Sequence, residues 1–153
     1  MSSASLYIVP TPIGNLQDIT QRAIDVLSSV VWIAAEDTRR TGVLLKHYKI
    51  KTPLASFNSY NQVKKSKQLI SHLIQGHDLA LVSDAGTPGI SDPLYHLVRA
   101  ALDASVPVVS LPGPSAVLVA LTVSGLSVNR FAFEGFLPRK KGRKKLIEEL
   151  AKE

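Results

Sequence analysis

Short runs of consecutive apolar residues recur along this chain, and longer segments with helical periodicity separate them. Apolar runs of about four or five residues, bounded by proline, glycine or polar positions, predict buried strands. Strands that are apolar along their whole length are typical of a parallel sheet covered on both faces. The predicted strands are residues 6–9, 30–34, 54–57, 79–82 and 108–111, with an aromatic-rich sixth at 131–136.

The segments between these runs repeat apolar residues every three or four positions, which predicts amphipathic helices. Asp18 followed three residues later by Gln21 matches a capping box and predicts that the first helix begins there. The other helices are predicted at residues 41–48 and 63–75, after Pro93, from Ser115 to about residue 124, and at 144–152.

Each predicted helix has a set of apolar positions that we expect to face the core. The alternation of strands and helices indicates an α/β fold with a largely parallel sheet flanked by helices. Periodicity alone does not give the strand order. The inward positions are Ile19, Ala23, Ile24, Val26 and Leu27, then Val43, Leu44 and Leu45, then Val63, Leu69, Ile70, Leu73 and Ile74, and finally Tyr95, Leu97, Val98, Ala101 and Leu102.

Composition and charge restrict the class of protein. A chain of 153 residues suits one ordinary domain, and the absence of cysteine excludes disulfides and thiolate metal sites. The amino terminus has no targeting signal and no apolar run reaches the roughly 20 residues of a membrane span, so we expect a cytoplasmic protein. The net charge is +6, and residues 138–153 alone contribute +4, which favours contact with phosphate backbones or a solvated helix face.

Glycine and proline concentrate in the loops that follow the first, fourth and fifth predicted strands. Ligands of open α/β sheets bind beyond the carboxyl ends of strands, so three such loops predict a binding site rather than three unrelated tight turns. A nucleoside triphosphate is disfavoured because no Gly-Lys-Ser/Thr occurs, and a dinucleotide because no Gly-x-Gly occurs. The four scattered histidines do not form a zinc pattern, and no Gly-x-Ser-x-Gly hydrolase elbow is present.

Four segments in the order VPTPIGNL at 9–16, AEDTR at 35–39, SDAGTPGISDP at 83–93 and PGPSA at 112–116 carry a specific resemblance. The chain resembles the tetrapyrrole methylase family, and within it the group that methylates small-subunit ribosomal RNA. The resemblance covers nearly the whole chain, and FEGFLP at 133–138 is similar to the junction where that group enters its second domain.

The resemblance implies that S-adenosylmethionine binds in a cleft between two α/β domains. Thr87 stands where many family members have aspartate, and Asp84 is a candidate acceptor in its place. The implied substrate-side residues are Thr11, Gly14, Asn15 and Arg39. The implied cofactor-binding residues are Pro12, Asp84, Gly86, Thr87, Pro88, Gly89, Ile90, Ser115 and Ala116.

The implied reaction is methyl transfer to the 2′-oxygen of a cytidine in small-subunit ribosomal RNA. A 2′-hydroxyl is a poor nucleophile, so a proton acceptor would help, and Asp37 or Glu36 is our candidate to act as that base or to orient the acceptor. Arg39 would hold a nearby phosphate. Glu36 and Asp37 also suit the start of a helix, and capping is the simpler interpretation of Asp37.

The resemblance also predicts the domain organisation and partners. Residues 1–128 would form the amino-terminal domain, and 129–153 a linker and the beginning of a truncated second domain. Ribosomal RNA and a second copy of the chain are the expected partners, with no metal. The alternatives are a methylase of a tetrapyrrole precursor and a non-catalytic module that binds RNA or dimerises. Trp32 is interpreted as core and the lysines at 64, 65 and 67 as a solvated helix face, rather than as RNA contacts.

Overall fold

The strands form a single sheet in which all neighbours are parallel, in the order β3-β2-β4-β1-β5. The structure, a computed structural model, describes residues 4–90 and 95–152. The strands are β1 Leu6–Ile8, β2 Trp32–Ala35, β3 Leu54–Ser56, β4 Leu79–Val82 and β5 Val108–Ser110. The predicted α/β class with a parallel sheet is confirmed. Periodicity could not supply the strand order, which places β4 at the centre between β2 and β1.

Six α-helices are found in the described part of the chain, together with a short 3-10 turn at Leu16–Asp18. The first two pack on one face of the sheet, where Leu27 and Leu44 join the same apolar cluster. The next two pack on the other face through Leu69 and Leu97. The helices are α1 Gln21–Ser29, α2 Thr38–His47, α3 Gln62–Ile74, α4 Tyr95–Asp103, α5 Ala116–Val123 and α6 Arg143–Leu150.

The connections that leave the neighbouring strands β1 and β4 run in opposite directions across the sheet. From β1 it leads to α1 on one face and moves toward β2 and β3, whereas from β4 it leads to α4 on the other face and moves toward β5. A crevice beyond the carboxyl ends of two such strands is the usual ligand position of an open α/β sheet. A ligand site is therefore expected at the loops that follow β1 and β4.

Two predicted helix starts differ from the structure by more than one residue. The predicted cap Asp18 ends the 3-10 turn, and α1 begins two residues later with Thr20 as its cap, whose hydroxyl oxygen accepts from Ala23 N–H at 3.1 Å. The α2 helix begins at Thr38 instead of residue 41, because the Asp37 carboxylate caps it by accepting from Arg39 N–H at 2.9 Å. In both places a side-chain oxygen that satisfies exposed backbone N–H groups decides the boundary.

The sixth predicted strand is wrong: residues 131–136 form no strand, although they lie within the described part of the chain. Glu134 and Gly135 interrupt this aromatic segment, and Gly135 has a positive φ of 73° that does not continue a strand. The predicted helix start at Pro93 falls outside the described residues.

Five of the predicted inward positions are also wrong, since they face solvent. Val43 is 65% exposed, and the others lie on the borders of the apolar faces of their helices, where a 3.6-residue period does not distinguish the rim from the core. The remaining predicted positions are buried or half-buried. The four exposed positions besides Val43 are Val63, Ile74, Tyr95 and Leu102.

The segment after the sheet has an unusual surface. The α5 helix is apolar except for Thr122, yet none of its residues is buried, and large side chains between residues 118 and 136 face solvent. Among the described residues, no helix is long and apolar enough to cross a membrane. The exposed side chains include Leu118, Val119, Val123, Leu126, Phe131, Phe133 and Phe136.

Candidate functional site

The loop after β4 lies at the centre of the carboxyl edge of the sheet and bonds to the loops after three other strands. Its first tie is to the loop after β1, where Thr11 N–H donates to the Gly86 carbonyl at 2.9 Å and Gly86 N–H donates to the Thr11 carbonyl at 2.9 Å. Thr11 is buried and its hydroxyl donates to the Ser83 carbonyl at 3.1 Å. The polar groups of Thr11 therefore join the two central loops.

Gly86 allows this pairing through its conformation. Its φ is +79°, and a Cβ built there would lie 3.4 Å from Ile13 Cγ2 and 3.7 Å from the Pro114 carbonyl oxygen. Glycine adopts this region at no steric cost, whereas another residue would be strained. Gly89 in the same loop also has a positive φ, of 94°. The two glycines thus give this loop a course that ordinary residues avoid.

A second tie connects the loop after β4 to the loop after β5. The Thr87 hydroxyl donates to the Pro114 carbonyl at 3.0 Å. The neighbouring Gly113 lies against the end of β1, and a Cβ there would come within 2.6 Å of Pro10 Cβ. These contacts explain a use for threonine at residue 87, because its hydroxyl holds two loops together.

The third tie runs to the loop after β2 and uses Asp84. Its Oδ1 accepts from the Asp37 backbone N–H at 3.0 Å, and its Oδ2 pairs with the Arg40 guanidinium at 3.5 Å. Arg40 and Asp84 line a small cavity of about 100 Å³ together with Thr11 and Pro12. Asp84, the candidate cofactor acceptor, thus already accepts one hydrogen bond and forms one ion pair within the chain.

Asp37 and Arg39 form a bidentate ion pair at the start of α2. The Nε of Arg39 donates to Oδ1 at 3.0 Å and one terminal nitrogen donates to Oδ2 at 2.7 Å. The side-chain hydrogen bonds from Arg39, together with its backbone N–H, hold the pKa of Asp37 well below its usual range, and Asp37 raises the pKa of Arg39 in turn. A carboxylate with so low a pKa is a weak base.

The other predicted residues lie around these ties. Glu36 is half-buried at the end of β2, directly before Asp37. Gly14 and Asn15 are exposed, and Asn15 Oδ1 accepts from Gln17 N–H at the 3-10 turn. The remaining cofactor candidates are buried Pro88, exposed Ile90 and Ala116, and half-buried Ser115, which precedes α5 without a capping side-chain bond.

Two residues of the site were not singled out from the sequence. Arg40 follows Arg39 in a basic pair, and no feature of that pair indicates which guanidinium reaches the loop after β4. Ser83 is buried and its hydroxyl donates to the carbonyls of Ala85 and Gly86.

The end of the loop motif, residues 91–93, lies outside the described residues. In the described part of the chain, no group of three or more histidine, aspartate or glutamate side chains is placed to hold a metal ion.

Comparison with known proteins gives close relatives. The chain is 58% identical over 148 residues to "Ribosomal RNA small subunit methyltransferase I" of Vibrio cholerae, which covers 96% of this chain and 51% of the relative. It is 53% identical over 153 residues to the protein of the same name from Escherichia coli O157:H7, covering 99% of this chain and 54% of the relative. The chain thus spans about half the length of the curated relatives that it matches.

Solved structures share the fold at lower identity. A uroporphyrin-III-C-methyltransferase from Thermus thermophilus superposes with a TM-score of 0.63 at 21% identity, covering 84% of this chain and 56% of that one. A conserved hypothetical protein from Aeropyrum pernix K1 gives a TM-score of 0.66 at 22% identity, covering 86% and 46%. The family model of the Tetrapyrrole (Corrin/Porphyrin) Methylases matches residues 5–153, and the chain therefore belongs to the tetrapyrrole methylase family.

Proposed function

We propose that this chain is the amino-terminal half of an S-adenosylmethionine-dependent methyltransferase that modifies the 2′-oxygen of a cytidine in small-subunit ribosomal RNA. The observation that carries the proposal is the set of ties among the loops after β1, β2, β4 and β5, which bear the four motifs of that group. The names of relatives more than half identical to this chain support the substrate class.

The cofactor side of the site is proposed at the loops after β4 and β5. S-adenosylmethionine has apolar surface and also polar groups that can form hydrogen bonds with backbone amides. Loops built from glycine and proline offer exposed backbone groups for those hydrogen bonds and apolar walls for the rest of the cofactor. Gly86 and Gly89, with positive φ, and Pro88 and Ile90 would form one wall. Ser115 and Ala116, at the start of α5, would form the other, with Pro12 beside the acceptor.

The acceptor side is proposed at the end of β2. The cofactor supplies an electrophilic methyl group that passes from sulfonium sulfur to the ribose 2′-oxygen, and the hydroxyl proton must then leave. Of the two acidic residues, we favour Glu36 as its acceptor, because the low pKa of Asp37 makes Asp37 a weak base. Asp37 would act as a positioning residue that holds Arg39, and Arg39 would contact phosphate through its exposed side.

The domain division at residue 128, a homodimer and a cytoplasmic location remain part of the proposal. The exposed apolar surface of α5 and of residues 126–136 supports further packing, since contiguous patches of this kind mark interaction sites. Sedimentation of a protein of the relatives' full length would measure the dimer. A purely monomeric protein at micromolar concentration would contradict that part.

Calorimetric titration with S-adenosylhomocysteine tests the cofactor proposal. The chain would be compared with a version extended to the length of its curated relatives. Binding by the extended version alone means that the cleft is shared between two halves, and binding by both means that the loops described here supply most of the affinity. Binding by neither would contradict the methyltransferase proposal.

A transfer assay separates the two possible substrates. The extended protein would be given labelled cofactor with either small ribosomal subunits or a porphyrinoid. We expect label in the ribosomal RNA alone, at a ribose that becomes resistant to alkaline cleavage. Label in the porphyrinoid would favour the tetrapyrrole-precursor alternative.

A further inference from the structure

The largest excess of positive charge in the chain lies outside its carboxyl-terminal segment. Residues 38–77 contain eight lysines and arginines and no aspartate or glutamate. This run of forty residues covers the edge strand β3 and the helices α2 and α3, which pack on opposite faces of the sheet, so positive charge is concentrated at the β3 end of the sheet. Such a field attracts polyanions and increases their local concentration.

A groove lies within this basic region, between the edge strand β3 and the helix α3. Its volume is about 590 Å³, and Leu54 of β3 is one of the residues that line it. Trp32 and His72 line it, with ring centroids 4.2 Å apart and ring planes at 88°. Both rings belong to half-buried residues, so they are held by packing and still reach solvent.

Two lysines complete the groove. Lys65 and Lys67 line it, and neither forms an ion pair with any residue between 4 and 90 or 95 and 152. The neighbouring Lys64 is exposed and does not line the groove. The groove thus combines aromatic rings, which stack on bases, with ammonium groups available to phosphates.

We infer that this groove binds a single-stranded segment of the RNA substrate, with a base against Trp32 and His72 and phosphates at Lys65 and Lys67. The inference rests on the proposed function and adds an RNA contact away from the reacting atoms. Trp32 and Glu36 are four residues apart along extended backbone, which corresponds to about 13 Å. A single strand of RNA is long enough to contact both residues. The sequence alone favoured Trp32 as a core residue and the lysines as a solvated helix face. That interpretation does not account for a groove that both kinds of residue line.

Trp32 provides a direct measurement, because it is the only tryptophan of the chain. A single-stranded cytidine oligonucleotide of about eight residues, within the usual site sizes, would be titrated while tryptophan emission is recorded. Stacking at the groove quenches this emission. Two phosphate contacts predict that the logarithm of the binding constant falls with the logarithm of salt concentration at a slope of about −1.4.

The variants Lys65→Ala and Lys67→Ala should each reduce that slope to about −0.7 and weaken binding, whereas the matched control Lys64→Ala should behave as the unchanged chain. Equal affinity in all four proteins, or no quenching, would overturn the inference. Binding that does not depend on salt concentration would also overturn it, because phosphate contacts at the two lysines must release counterions.

The cofactor titration distinguishes this inference from the proposed function. Lys65→Ala should bind S-adenosylhomocysteine as the unchanged protein of full length does. If cofactor binds and the oligonucleotide does not, the groove inference fails and the methyltransferase proposal stands. If the oligonucleotide binds with the predicted lysine dependence and cofactor does not, the methyltransferase proposal fails and the groove remains an RNA-binding surface.

Discussion

The contact between Gly113 and Pro10 makes a sharp prediction about the loop after β5. A Cβ at residue 113 would lie 2.6 Å from Pro10 Cβ and 3.0 Å from its Cγ, well inside ordinary contact. Pro10 is fully buried and its ring is rigid, so the loop has to move instead. Overpacking of this kind costs about 1–3 kcal/mol. We therefore expect Gly113→Ala to lower the free energy of unfolding by that amount.

Urea unfolding followed by Trp32 emission measures this loss. The midpoint should fall while the slope against urea stays the same, since the surface exposed on unfolding does not change. In a chain of this size each kcal/mol corresponds to roughly 2–4 °C in Tm, so a thermal scan should show a drop of about 2–12 °C. Displacement of the loop should also break the Thr87 bond to Pro114 and weaken S-adenosylhomocysteine binding by the full-length protein.

Gly14→Ala is the matched control, because Gly14 is also an exposed loop glycine at this edge of the sheet, and a Cβ there meets nothing within 4 Å. It should leave stability unchanged or raise it by up to about 1 kcal/mol through a less flexible unfolded chain. If Gly113→Ala were as stable as Gly14→Ala, the assigned packing of the loop on β1 would be refuted.

Three further predictions test other parts of the structure. Thr87→Val keeps the shape but removes the hydroxyl that joins two loops, and we expect a loss of about 0.5–1.5 kcal/mol in urea unfolding, with weaker cofactor binding; an unchanged midpoint would contradict this tie. Because its folded pKa is depressed, Asp37 contributes stability above about pH 4 that is lost progressively at lower pH. The stability difference between Asp37→Asn and the unchanged chain should therefore be constant from pH 5 to 8 and shrink below pH 4, whereas a difference that disappears between pH 5 and 7 would indicate an elevated pKa and favour Asp37 as a base. Leu27→Ala should cost about 2–5 kcal/mol because Leu27 is fully buried, and the exposed Val43→Ala should change stability by less than about 0.5 kcal/mol; similar losses in both would contradict the assigned orientation of the helices.

The central elements were the most predictable from the sequence. The β4 strand has the predicted bounds, since four apolar residues between a turn and a glycine-rich loop are buried on both faces of the sheet. Helix boundaries were less predictable, as the shift from Asp18 to Thr20 shows. Asp18 and Thr20 both carry capping oxygens there. Asp18 is the last residue of the 3-10 turn, so Thr20 caps the helix.

The candidate site was predictable as a set of loops, and its internal bonding was not. Glycine and proline after the strands indicated where a ligand site is expected, because such loops are rigid and allow close approach. The Asp84 carboxylate accepts from the Asp37 backbone N–H and pairs with Arg40. Both contacts depend on β2 lying beside β4, because Asp37 and Asp84 are 47 positions apart in the sequence.

The sequence by itself determined the alternation of strands and helices, the parallel class of the sheet and the family, because apolar periodicity and loop motifs are local properties of the chain. Only the tertiary structure decided the strand order, the junction of the four loops and the groove beside β3. The physical reason is that these features arise from pairing between distant segments. The local energies of individual strands and helices are the same for many strand orders. The packing of helices against both faces of the sheet selects one order.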